Sequence, residues 1–405
     1  METCRRMQTQ YVDSTATHAA PLAGQGSYCE PERRTRPGIR QIYCAWGIAI
    51  AVCLLSLFVR PASGQDAAAP NATPSLQRDD VDAAIDRGIA FLLTKQRDDG
   101  TISEGQNDTA LTSLAIMSLA SIGTSPAQLD DRGKAMVRAL DYVLGDKVQD
   151  EQGYFGSHDN SRMYGHGITT LMLTEMHGMG MNPAQDARIA AAAQRAIELI
   201  LAAQDHPKSP LHRGGWRYTP DAIDADLSVS IWQLMALRSA KNDGLEVPQA
   251  AIERAIAYLR RSASSELDSQ GRPATAICGF SYTPGDPNAT FAMTAAGLLA
   301  MQVCGQYDSP LVVAATKWLE ENPPKWDARY FFYGTYYYAQ AMYQRGGEPA
   351  LDSARRVKEL LLEHQRDDGS WQGGGEEQGH GPVYATSLAI LSLSVKYHYL
   401  PIYQR

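Results

Sequence analysis

The chain has 405 residues, a hydrophobic content of 44% and a formal net charge of −8. That length admits two or three ordinary domains or a single repeat fold. The acidic balance argues against nucleic-acid partners, which need basic patches to displace counterions.

The chain opens on a leader, residues 1–64. It carries Arg33, Arg34, Arg36 and Arg40, then the apolar run "IYCAWGIAIAVCLLSLFV" from Ile42 to Val59, then small residues at Ala62 and Gly64. This order is that of a secretory signal, and the run also reaches the lower limit of a membrane-spanning helix. Cleaved signal and retained anchor both remain open, and both imply an exported, extracytoplasmic or membrane-tethered body. The leader holds seven arginines, no lysine and four acidic residues, so the remaining chain has 30 basic and 41 acidic residues. Four of the six cysteines also lie in the leader. Cys278 and Cys304 alone cannot form a disulfide scaffold, so packing must hold the core. Residues 65–80, small, polar and proline-containing, read as a flexible tether.

From Val81 to about residue 400 one rhythm repeats six times. A half-charged helical segment precedes a glycine-containing loop and then a nearly uncharged helical segment. In the first unit Ile85, Ile89, Leu92 and Leu93 form one apolar stripe, while the partner segment "TALTSLAIMSLA" contains no charge at all. The first kind of helix is half-wet and outer, and the second is dry and inner. Such pairs bury their inner members only by stacking. The spacing therefore predicts an all-α protein, an α/α toroid of six helical hairpins with inner and outer rings.

The loops repeat as well. Gln96-x-x-x-Gly100, Gln149-x-x-x-Gly153 and Gln365-x-x-x-Gly369 each end an outer segment and precede a bulky residue, Trp371 in the last copy; Gln204 ends another. Glycine after a helix end takes the left-handed conformation, and the amide can satisfy orphan backbone groups. The motif reads as a structural tie around a closed ring. In full at Gln365, Gly369 and Trp371 it resembles the repeat signature of the squalene and oxidosqualene cyclases, whose toroid is shared with protein prenyltransferase β-subunits.

The resemblance implies chemistry at the start of the third inner helix. The cyclases protonate a neutral isoprenoid with the middle Asp of an Asp-x-Asp-Asp-Thr motif. Here "DADLS" places Asp226 in that role with Asp224 as partner, but Leu227 replaces the last Asp. N-capping is the competing reading, because Asp, Asn, Ser and Thr are preferred there. No metal or cofactor is expected, since no Asp-x-Cys pair exists and the histidines are dispersed. Candidate ligand-binding residues are Trp216, Trp232, Tyr333 and Tyr337, with His166, His380 and Tyr384 at other inner-helix starts. Their ligand is a hydrophobic small molecule or another occupant of the central cavity. Two alternatives stay open: a polysaccharide lyase or hydrolase on an α/α barrel, and a non-catalytic binding module.

Overall fold

The computed structural model describes residues 78–404. The leader, its apolar run and most of the tether lie outside the described residues. Among the described residues no helix is long and apolar enough to cross a membrane.

Twelve α-helices form the described body: α1 (Asp80–Thr94), α2 (Asp108–Ala120), α3 (Asp131–Val143), α4 (Arg162–Met176), α5 (Pro183–Asp205), α6 (Leu227–Asn242), α7 (Gln249–Arg261), α8 (Phe291–Val303), α9 (Pro310–Glu321), α10 (Phe331–Arg345), α11 (Gly347–Glu363) and α12 (Gly381–Leu393). The even helices pack side by side in the order α2, α4, α6, α8, α10, α12, and α12 returns to α2. That contact closes the inner ring. The odd helices form the outer ring, and α1 lies against both α11 and α12 at the seam. The fold is an α/α toroid.

The two helix types have the burial their composition predicts. Every residue of α2 after Asp108 is buried. In α3 only Gly133, Ala135, Met136, Ala139, Leu140 and Val143 are, a single stripe at helical spacing. A charge placed on α2 would have no water to face, whereas α3 keeps its charged residues on the outer surface.

The glutamine motif closes the ring by a bond that reaches into the next unit. Gln96 Nε2 donates to Gly100 O at 3.1 Å and to Ala135 O of α3 at 2.8 Å. Gln149 joins Gly153 O and Ala192 O at 3.0 and 2.9 Å. Gln204 joins Gly214 O and Ala251 O at 3.1 and 3.0 Å. At the seam Gln365 joins Gly369 O and Ala84 O of α1, both at 2.8 Å. An arginine three residues after each alanine (Arg138, Arg195, Arg254 and Arg87) donates back to the glutamine oxygen. Each tie thus pins a loop onto the following outer helix.

The glycine is required twice over at these sites. Gly369 has φ +84°, and a Cβ there would sit 2.5 Å from Arg87 O. The bulky residue two positions on is fixed through its own backbone. Ile102 N donates to Thr112 Oγ1, Trp216 N to Ser230 Oγ, Phe280 N to Thr294 Oγ1 and Trp371 N to Thr386 Oγ1, all within 2.9–3.0 Å. Ile102 and Trp371 are therefore equivalent wedges under neighbouring inner helices, and Trp371 reaches across the seam to Gly88 of α1. Cys278 and Cys304 are both free thiols.

After α12 the chain turns back into the ring. Leu400, Ile402 and Tyr403 are buried. Ile402 N donates to Glu175 Oε2, near the end of α4, at 3.1 Å, and the Tyr403 and Tyr336 hydroxyls bond each other. The segment closes the bore at the C-terminal ends of the inner helices.

Two glycine substitutions separate backbone strain from crowding. Gly178 also has positive φ, but no atom lies within 4 Å of its Cβ position. Gly178→Ala should lower stability in urea unfolding by about 1 kcal/mol, the left-handed penalty alone. Gly369→Ala should lose at least about 2 kcal/mol, because α1 must also move. Equal losses would mean that the seam is not tightly packed.

Candidate functional site

All six inner helices begin at one face of the ring, where the long loops 95–107, 144–161, 206–226, 262–290, 322–330 and 364–380 gather. Loops carried on a rigid scaffold are where binding groups concentrate. Among the described residues, four of the five non-glycine residues with positive φ lie on this face: Asn107, Asn160, Arg162 and Tyr330. Strain of this kind gathers at functional sites.

The loops are positioned by cross-capping. The first turn of each of four inner helices is satisfied by the loop of the following unit. Asp159 accepts from Thr109 N and Ala110 N of α2 at 2.8 and 3.3 Å. Tyr218 O accepts from Met163 N of α4 at 3.1 Å, and Tyr282 O from Leu227 N of α6 at 2.8 Å. Glu377 accepts from Phe332 N and Tyr333 N of α10, both at 3.0 Å. Free amide hydrogens at helix starts need such partners. Here they also set where Tyr218 and Tyr282 point.

Asp226 sits at the centre of this arrangement and is fully buried. It caps α6, accepting from Val229 N at 2.9 Å and from the Ser228 hydroxyl at 2.6 Å, both on Oδ1. Tyr164 of α4 continues the chain, its hydroxyl 2.5 Å from Ser228 Oγ. Because Ser228 spends its one hydrogen on Asp226, Tyr164 is the donor in that pair. Oδ2 lies 3.1 Å from Arg217 Nε, an ion-pair distance, yet no N–H or O–H points squarely at it. Arg217 also bonds Asp224 at 2.8 Å and lies between the Tyr218 and Tyr282 rings, 5.0 and 5.7 Å from their centroids. The two tyrosine hydroxyls bond each other.

Burial raises the Asp226 carboxyl above its ordinary value despite the Ser228 and Val229 donors and the Arg217 charge. Burial would lower Arg217, but Asp226 and its neighbours carry it above its ordinary value. Tyr164 and Tyr282 are raised, first by burial and then by nearby negative charge, so both stay neutral phenols. The result is a buried carboxyl raised above its ordinary value, connected through the Ser228 hydroxyl to the half-buried Tyr164 phenol at the ring mouth.

The expected site residues divide into three groups. Asp226, Asp224 and Tyr333 belong to the cluster, Tyr333 by donating to Ser228 O at 2.7 Å. Tyr384 joins it through Glu377 Oε1 at 3.1 Å, and His380, exposed, packs on Tyr384 with ring centroids 4.9 Å apart. Trp232 and Tyr337 lie deeper, at most 1% exposed, packed on each other and on Tyr336.

Trp216 and His166 are parts of the frame. Trp216 is 1% exposed and its indole donates to Ile200 O at 2.8 Å. His166 Nδ1 accepts from Phe155 N at 3.3 Å and Nε2 donates to Ala196 O at 3.1 Å. Both ring nitrogens are spent inside the fold, and burial lowers the imidazole to about 4. His166 stands where the other units use Thr or Ser, so the expectation that it reaches the cavity is corrected.

Arg217, Tyr164, Tyr218, Tyr282 and Glu377 were not expected. A signal did exist for three of them. "WRYT" at Trp216–Thr219 and "FSYT" at Phe280–Thr283 are the same loop position in successive units.

No protein-family model and no curated protein matches this chain. Among solved structures it is similar to a D-mannose isomerase, with TM-score 0.50 and 12% identity, over 78% of this chain and 97% of that one. A polysaccharide lyase matches at TM-score 0.30 and 12% identity, over 78% and 90% of the two chains. The first likeness concerns the fold alone, and the second is too weak to carry an argument.

Another buried carboxyl lies near the opposite end of the bore. Glu175 accepts from the Ser239 hydroxyl and from Ile402 N, and burial raises it to about 7. A raised acid binds its proton more tightly in the folded state, so its contribution to stability falls as pH rises from 4.5 towards 7. Glu175→Gln removes that dependence. Between pH 5 and 8 the variant should gain about 2–3 kcal/mol relative to the parent. A stability difference that does not change with pH would show that Glu175 is not buried as described.

Proposed function

We propose that this chain acts on an uncharged, hydroxyl-rich saccharide at the ring mouth, as an α/α-barrel hydrolase would. The observation that carries the reading is the hydrogen-bonded chain Asp226–Ser228–Tyr164 ending at the mouth. Tyr164 is the group that meets the ligand. Delivery uses this hydrogen-bonded chain with its hydrogens turned round: protonated Asp226 donates to Ser228, Ser228 to Tyr164, and the Tyr164 phenol gives its proton to the glycosidic oxygen. The bond to that oxygen breaks, and a water adds to the freed sugar carbon and loses its proton to solvent. Asp226 becomes a carboxylate beside Arg217, whose positive charge stabilises it. General acid groups act best when their environment lets them hold a proton near working pH.

Charge selects the ligand. Arg217 is already paired with Asp224, and carboxylates of Asp159 and Glu377 occupy helix starts that would otherwise attract an anion. An anionic sugar gains nothing there. The partly exposed tyrosines offer flat rings and hydroxyls together.

A second reading keeps Asp226 as the acid towards a neutral isoprenoid, on the resemblance to squalene cyclases. Its support is the buried carboxyl in "DADLS" and the aromatic wall of Trp232, Tyr333, Tyr336 and Tyr337. That wall packs on itself, with each residue at most 8% exposed, so the reading requires these rings to move apart for the ligand. The sugar reading needs no such opening.

Turnover of neutral oligosaccharides, followed by release of reducing ends, tests the choice. The parent should be active, and Tyr164→Phe should lower kcat at least about 100-fold with little change in KM. Absence of turnover on every neutral oligosaccharide, with an Asp226-dependent cyclised product from squalene, would replace the sugar reading with the second one.

A further inference from the structure

The opposite face of the ring holds a cleft of about 560 Å³, between the end of α10, the start of α11 and the returning segment. Its size is within the range of about 300–1,000 Å³ for small-molecule sites. Tyr343, Gln344, Leu351, His398 and Tyr403 line it around the backbone of Gly346 and Gly347. No Asp, Glu, Lys or Arg does.

Two polar atoms in this lining have no partner. Gln344 is 4% exposed and its Oε1 accepts nothing, and His398 Nε2 is buried without a bond. Leaving such atoms unpaired costs free energy, and a bound molecule that supplies hydrogen-bonding groups recovers it. Burial lowers the His398 imidazole, which keeps it neutral. His398 is also held at φ +57°, a conformation that survives only where the surroundings enforce it.

Beside these atoms lie exposed apolar surfaces. The Tyr343 ring is 40% exposed and packs on the His398 ring with centroids 4.2 Å apart, and Leu351 is 67% exposed. An occupant must therefore be uncharged, present an apolar face to Tyr343 and Leu351, and carry hydrogen-bonding groups on its edge. A pyranose meets all three conditions, because its axial C–H groups form a face and its hydroxyls form an edge. We propose that this cleft is a second binding site, for an uncharged pyranose sugar. It is independent of the chemistry at the mouth.

Saturation-transfer NMR on the full chain with methyl glucoside, methyl galactoside and methyl mannoside tests the site, with methyl glucuronide as the charged control. At least one neutral glycoside should receive saturation at millimolar concentration. Leu351→Arg changes an exposed residue, leaves the core intact, and puts a bulky charge at the cleft. It should weaken binding by at least about tenfold, as should Gln344→Leu, the loss expected for one contact or hydrogen bond. The proposal is overturned if no neutral glycoside binds or if the glucuronide binds better. It is also overturned if binding survives both Leu351→Arg and Gln344→Leu, which would place the sugar outside this cleft.

Discussion

One side-chain amide, used four times, sets the geometry on which everything else depends. Each tie glutamine donates one hydrogen bond within its own loop and one to a carbonyl of the next outer helix. A neutral hydrogen bond contributes only about 1 kcal/mol net, so the ties matter less for strength than for direction. They fix the angle between successive hairpins. Four of the six steps that bring α12 back to α2 carry this tie, and Gln365 completes the circle onto Ala84.

Closure has two consequences for function. It points every inner helix the same way, so six helix starts and the long loops share one face. It also lays four of the loops over the preceding inner helix, where a carbonyl or carboxylate of the loop caps the first turn. Tyr218 and Tyr282 are held in this way by their own backbone oxygens. Arg217 is then trapped between their rings, and Asp226 is left beneath it. The site is a by-product of how the ring satisfies its helix ends, which is why its residues come from units two to six. The opposite face, with short connections and the returning segment, has a different character: an uncharged cleft and the buried Glu175.

Much of the fold could be read from the chain because its signals are local. The apolar stripe at Ile85, Ile89 and Leu92 and the charge-free run of α2 each occupy a few turns, and Gln-x-x-x-Gly declares itself within five residues. The second partner of each glutamine could not be read, since Ala84 lies 281 positions from Gln365 and only closure brings them together. At the site the motif "DADLS" drew attention to Asp226, and capping and ion pairing both proved to be its work. Arg217 and Tyr164 escaped notice because neither stands out until loops from different units overlap. His166 misled for the opposite reason. A histidine near a helix start suggests chemistry, but here it fills the slot that Thr112, Ser230, Thr294 and Thr386 fill elsewhere, accepting the wedge residue's backbone hydrogen.

Ring closure can be measured without any ligand. Lys358 of α11 lies 3.9 Å from Asp80 of α1, and Lys396 lies 2.9 Å from Asp79. Zero-length carbodiimide coupling followed by peptide mass spectrometry should join Lys358 to Asp80, and Lys396 to Asp79 or Asp82, within single molecules. If these lysines couple only to carboxylates on their own helices or on other molecules, the ring is open at its seam and the shared face that positions Asp226 does not exist.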